Sequence, residues 1–148
     1  MELSVQIEIN APRSKVWSLI TDIENSVNVI EGLSKVEVLE KPENGLIGLK
    51  WRETRMMFGK EATEVMWITG AAENESYETR AESHGAVYET KTMVQDAGNG
   101  CMLSMRFRGT PQTLGAKLMW LFMGFMFKSS TRKALLQDLN DIKLAAES

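Results

Sequence analysis

Cysteine, histidine and proline are all scarce in this chain: one Cys, one His and three Pro among 148 residues. The lone Cys101 excludes an intrachain disulfide and fits a reducing, cytoplasmic compartment. It alternates with Leu103, Met105 and Phe107, which marks it as a small buried side chain rather than a nucleophile. There is no Cys/His cluster and no His-x-x-His spacing. Ligand count therefore excludes Rieske or oxygenase-type iron chemistry, and neither a metal nor another cofactor is expected. His84 stands beside Gly85 at a turn, where a histidine is normally solvated. No serine or cysteine sits in a nucleophile context, so a hydrolase triad has no support.

Basic charge is lacking too. Seventeen Lys and Arg against 20 Asp and Glu leave a formal net charge of −3, without the clustered basic face that nucleic acid demands. The densest group, Lys128, Arg132 and Lys133, reads as a solvated helix face. Long apolar runs are missing as well. The longest, Leu118 to Phe127, is interrupted by Gly124 and is half of the roughly 20 residues a bilayer span needs. Met1 to Asn10 has neither the basic start nor the apolar block of a signal peptide.

What is present suits a globular α+β protein. The hydrophobic fraction of 43% and charged fraction of 25% are ordinary for one, and the length fits one domain spanning residues 1–148. Such a domain buries about 68–70% of its unfolded surface and needs no staple. Leu3, Val5, Ile7 and Ile9 alternate with polar residues, the period of a half-buried strand. Val16, Leu19, Ile20 and Ile23 then recur at helical spacing, so Pro12 to about Asp22 is expected as a short helix with Pro12 in its first turn. A second short helical or irregular piece runs from about Glu24 to Glu31.

Six strands are expected next. They lie around Val36 and Val38, then over Leu49–Met57, Glu61–Thr69, Ser76–Ser83, Ala86–Gln95 and Cys101–Arg108. The breaks fall at Pro42–Gly45, Phe58–Lys60, His84–Gly85 and the Gly-Asn-Gly of residues 98–100. From Thr113 to about Ala146 the pattern is helical, giving a rod of roughly 50 Å. Its second half carries Leu135, Leu139 and Ile142 on one stripe, with Arg132, Asp138 and Asp141 off it; its first half is apolar nearly all round. Hairpin connections make the sheet antiparallel, and only the long helix is large enough to cover its apolar face.

Ile9 to Asp22 reads I-N-A-P-R-S-K-V-W-S-L-I-T-D, which resembles the opening of START-like, birch-pollen-allergen-like proteins. Trp51-Arg52-Glu53-Thr54-Arg55 and the Lys143-bearing end of the last helix echo the same family, within it most closely the polyketide cyclase/dehydrase-like branch. The resemblance covers essentially the whole chain. It implies a helix-grip fold: a seven-stranded curved antiparallel sheet wrapped around a long C-terminal helix, two short helices after the first strand, and a deep apolar cavity. It does not imply one activity, since members include lipid and hormone binders, aromatic cyclases and chaperone regulators. Asn25 to Glu31 lacks the tryptophan often found there.

The third strand is the most informative stretch. If Leu49, Trp51 and Met57 face the cavity, period 2 puts Glu53 and Arg55 on the same face, where a buried carboxylate needs a partner such as Arg55. The pair reads as a polar anchor for an apolar ligand, as a structural ion pair, or as an acid/base pair. Trp67, Tyr77 and Tyr88 supply aromatic walls, which serve a pocket or a core equally well. In the last helix, Leu118, Phe122 and Phe125 belong to a Met- and Phe-rich face that would line the cavity, make a dimer contact, or touch lipid; lining plus a homodimeric self-contact is expected.

The leading expectation is therefore non-catalytic binding of a small hydrophobic molecule, a lipid or an aromatic polyketide-like compound. Trp51, Glu53, Arg55, Trp67, Tyr77, Tyr88, Leu118, Phe122 and Phe125 would be its ligand residues. The rivals are a cyclase or dehydratase in which Glu53 moves protons and Arg55 or Tyr88 stabilises an enolate oxygen, and a partner-binding regulator, marked by an exposed apolar helix face combined with a filled cavity.

Overall fold

A computed structural model describes residues 1–57 and 59–148. The alternation at the start of the chain forms β1 (Glu2–Ile9), burying Leu3, Val5 and Ile9. Helix α1 (Arg13–Thr21) follows. Pro12 is its extended N-cap residue, one position before the first turn where the sequence places it, and its carbonyl accepts from Lys15 and Val16 N–H. Val16, Trp17 and Ile20 form the buried face of α1. A 3-10 segment, Ile23–Asn28, leads into the strands.

Six strands then run in antiparallel hairpins: β2 (Leu33–Glu40), β3 (Lys50–Met57), β4 (Lys60–Ala72), β5 (Ser76–Ser83), β6 (Ala86–Ala97) and β7 (Gly100–Pro111). The spatial order is β1-β7-β6-β5-β4-β3-β2, so β1 closes one edge and β2 the other. The expected break at Phe58 lies outside the described residues. At the β5–β6 turn both His84 (φ 51°) and Gly85 (φ 75°) are left-handed, the pairing a two-residue type I′ hairpin requires. A Cβ on Gly85 would also stand 2.5 Å from Thr113 Oγ1.

Helix α2 (Leu114–Glu147) packs over the concave face. Thr113 caps it, its hydroxyl accepting from Ala116 N–H at 3.1 Å. The C-terminal half is anchored by burial of Leu139, Ile142 and Ala146 against β1, α1 and the sheet floor. Polar ties fasten the same half. Lys143 Nζ donates to Glu8 O at 2.7 Å and to Glu147 Oε2 at 2.8 Å, and Asn10 N–H donates to Glu147 Oε2 at 2.7 Å. With Arg132 Nη1 donating to Ser4 O at 3.3 Å, cations of α2 cover carbonyls of an edge strand that would otherwise invite pairing with another chain.

Asp138 and Asp141 are not off the packed stripe, as the aliphatic spacing suggests; both are buried. The sheet curves round the helix, so the covered arc is wider than the Leu135-Leu139-Ile142 line. Asp141 is satisfied there by Glu31 N–H at 3.0 Å and Gln137 Nε2 at 3.0 Å.

Candidate functional site

Strand register decides which side chains meet. Residues paired across antiparallel strands share a face, and neighbours along a strand point to opposite faces. Trp51 pairs Met66, Glu53 pairs Glu64 and Arg55 pairs Ala62. On the next ladders Met66 pairs Ala81, which pairs Tyr88, while Tyr77 pairs Thr92 and Thr79 pairs Thr90. This set forms the concave face, as the contact of Arg55 with α2 establishes: Arg55 Nη1 lies 3.0 Å from Asp138 Oδ1, with both side chains largely buried.

Arg55 therefore takes its salt-bridge partner from the helix, not from Glu53 two residues away. Burial pushes the Asp138 carboxyl up and Arg55 opposes that shift. Burial likewise raises Glu53, against the attraction of Arg55 and a hydrogen bond from Trp51. Glu53 enters no ion pair among the described residues. It is half-buried on the concave face. Glu64 shares the face and is half-buried; burial raises its carboxyl, with His84 and Arg55 pulling the other way.

The walls are aromatic. Tyr77 is buried, donates to Ile20 O at 3.4 Å and stands edge-on to Trp17, ring centroids 6.2 Å apart. Burial pushes its phenol up to about 12, against a hydrogen bond with Thr92. Tyr88 is half-buried and belongs to a cluster with Phe107 (5.8 Å), Trp120 (6.3 Å) and Phe127 (6.4 Å). Phe107, Met105 and Thr90 are also half-buried on this face. The interior is thus an apolar and aromatic shell around one arginine and three carboxyl groups.

Trp51, Glu53, Arg55, Tyr77 and Tyr88 share the concave face. Trp67 does not. It pairs Lys50 rather than Trp51, so it lies on the convex face, with Lys50 Nζ 5.9 Å from its ring centroid. The register of one hairpin is enough to turn it outward. Leu118, Phe122 and Phe125 also leave the interior, at 49%, 82% and 88% exposure. At 100° per residue, the arc of α2 that meets the sheet runs through Ala116, Trp120 and Phe127, and those three point away from it.

Asp138, Glu64, Phe107, Trp120 and Phe127 are among the interior residues that sequence reasoning missed. Glu64 was recoverable by folding the β3–β4 hairpin about residues 58–59. Asp138 follows Trp120, Phe127, Thr131 and Ala134 at spacings of seven, four, three and four, one continuous helical line.

Among the described residues, several open clefts lie elsewhere on the molecule. One, about 410 Å³, is bounded by Val27–Glu31 on one side and Asp141, Leu144 and Ala145 on the other. None of the nine expected ligand residues lines any of them. Among the described residues, no group of three or more His, Cys, Asp or Glu is placed to hold a metal.

Solved structures resemble this chain over its whole length. TTHA0849 from Thermus thermophilus superposes with a TM-score of 0.83 at 16% identity, covering 100% of both chains. A START superfamily protein from Mycobacterium smegmatis gives 0.80 at 14%, over 99% of this chain and 97% of that one. The Zhui aromatase/cyclase from Streptomyces sp. R1128 gives 0.76 at 14%, over 99% and 93%. At these identities the likeness establishes the fold. No curated protein matches the sequence. Residues 1–140 match the family described as polyketide cyclase / dehydrase and lipid transport, and the chain belongs to that family.

Proposed function

We propose that the protein encloses a small hydrophobic molecule with one polar end in the space between its sheet and α2. The observation that carries this reading is Glu53. It is half-buried on the concave face, its carboxyl is raised by burial, and Arg55, the cation beside it, is engaged by Asp138. Burial favours the protonated form of such an acid. In that form it would be a hydrogen-bond donor facing aromatic side chains, suited to a carbonyl or hydroxyl on an apolar body. Trp51, Tyr88, Phe107 and Trp120 supply the walls.

A second reading rests on the same residue. A carboxyl poised to give and take a proton beside an arginine suits enolisation and dehydration of a poly-β-keto or aromatic substrate. Likeness to an aromatase/cyclase and to the di-domain ARO/CYC StfQ from the steffimycin biosynthetic pathway supports it at the level of fold. Native mass spectrometry of the purified protein tests the shared core of both readings: a retained small molecule is expected. No retained mass, together with no uptake of a hydrophobic fluorophore by the folded protein, would overturn them. Glu53→Gln then separates the two. A binder loses affinity with no turnover to lose, whereas a cyclase loses turnover and keeps affinity nearly intact.

A further inference from the structure

The N-terminal half of α2 does something an interior-lining helix does not. From Leu114 to Met126 it presents Leu114, Leu118, Met119, Leu121, Phe122, Met123, Phe125 and Met126 to solvent, each about half or more exposed. Together they expose on the order of 1,000 Å² of apolar surface, where the largest patch of a typical monomer is about 300–600 Å². A patch of this size marks a site for an occupant of some kind.

Charge says which. Residues 97–137 contain six of the chain's 17 Lys and Arg and none of its 20 Asp and Glu, although the protein as a whole is acidic. Lys117, Lys128 and Lys133 sit on α2 within or just beyond the apolar stretch. All three are exposed, and none enters an ion pair among the described residues. A second copy of the chain would fit the apolar area, but pairing this face with itself brings only cations together. The helix is not long and apolar enough to cross a membrane. An apolar helix face with basic residues beside it and no acids is the pattern of a helix lying in a lipid interface, apolar side chains inserted about 5–10 Å and cations among anionic headgroups.

We infer that residues 114–133 dock the protein on an anionic lipid bilayer, Leu118, Phe122 and Phe125 entering the acyl boundary and Lys117, Lys128 and Lys133 meeting the headgroups. The face is separate from the interior site, whose occupancy native mass spectrometry reads independently.

The test is co-sedimentation of the full chain with phosphatidylcholine vesicles, with and without about 30% phosphatidylserine, the anionic lipid that supplies the surface potential. Binding to the anionic vesicles is expected, at least about ten-fold tighter than to neutral ones. It should weaken as salt rises from about 0.1 M to about 0.5 M and the Debye length shrinks. Phe122→Ser and Phe125→Ser should each cost about ten-fold or more in affinity, from the lost burial of a phenyl ring. Lys128→Gln and Lys133→Gln should each cost about five-fold. These side chains are exposed, and near-UV circular dichroism checks that the variants stay folded. Equal uptake by neutral and anionic vesicles, or none by either, overturns the inference. So does a dimer in sedimentation velocity that Phe122→Ser dissolves, which would make this face an interface between copies.

Discussion

Arg55 and Asp138, 83 residues apart in sequence, meet at 3.0 Å across the interior. Removing one partner of a buried pair leaves a charge with no compensation, at a cost of about 3–5 kcal/mol. Arg55→Met should lose that much in urea denaturation, because Asp138 would be stranded beside Glu53 and Asp141. Arg55→Met combined with Asp138→Leu should recover most of it, since a matched apolar pair needs no desolvation of charge. Glu53 makes a different demand. Its folded pKa is raised above the ordinary 4.5 by burial, so the folded state holds the proton more tightly than the unfolded state does. The stability this proton contributes is complete below pH 4.5, falls as pH rises toward the raised pKa, and is gone above it. Glu37 and Glu147, held low chiefly by hydrogen bonds from Lys35 and Lys143, run in the opposite direction. The difference between wild type and Glu53→Gln cancels them. Chemical denaturation from pH 4 to pH 8 should therefore show the variant gaining on wild type as pH rises; a difference independent of pH would place Glu53 in water.

Helix α2 is two objects on one axis. Its C-terminal half is held by Leu139, with no exposed surface, and by Ile142 and Ala146. Leu139→Ala should cost about 2–5 kcal/mol, the range for emptying a packed site. Its N-terminal half meets the sheet through Trp120 and Phe127, whose rings lie 6.3 and 6.4 Å from that of Tyr88. The fit there is close: a Cβ on Gly109 would come within 2.6 Å of the Trp120 ring. Gly109→Ala should thus cost about 1–3 kcal/mol by overpacking, with Trp120 displaced. Phe122→Ser and Phe125→Ser, on the outer side of the same turns, should change stability by no more than about 0.5 kcal/mol. Thermal melts of these four variants would separate the packed side from the exposed face.

For the whole molecule, the sheet has two faces with different work. The concave face gathers Glu53, Arg55, Glu64 and Tyr88 under α2, and the convex face carries Trp67 under Lys50. A hydrophobic fluorophore that enters the interior at 100 times its Kd should stabilise the folded protein by about 2.7 kcal/mol. Tyr88→Ala should weaken that binding and Trp67→Ala should leave it unchanged, measured by fluorescence titration. Equal losses from both variants would mean that the probe sits on the surface rather than between sheet and helix.

The sequence by itself determined the element order, the antiparallel class and the length of the last helix, because these follow from local periodicity and from turn residues such as His84-Gly85. It also grouped Trp51, Glu53 and Arg55, since a strand's period of 2 is a local property. It did not determine who answers Arg55. A helix residue 83 positions away takes that place, and only the angle at which α2 crosses the sheet puts Asp138 there. Trp67 was lost to the interior by the register of the β3–β4 hairpin, a matter of one residue. The outward turn of Leu118, Phe122 and Phe125 was decided the same way. A helix segment apolar on every side states that something will be covered, but not which arc the sheet will cover, and that choice is made by Trp120 fitting against Gly109.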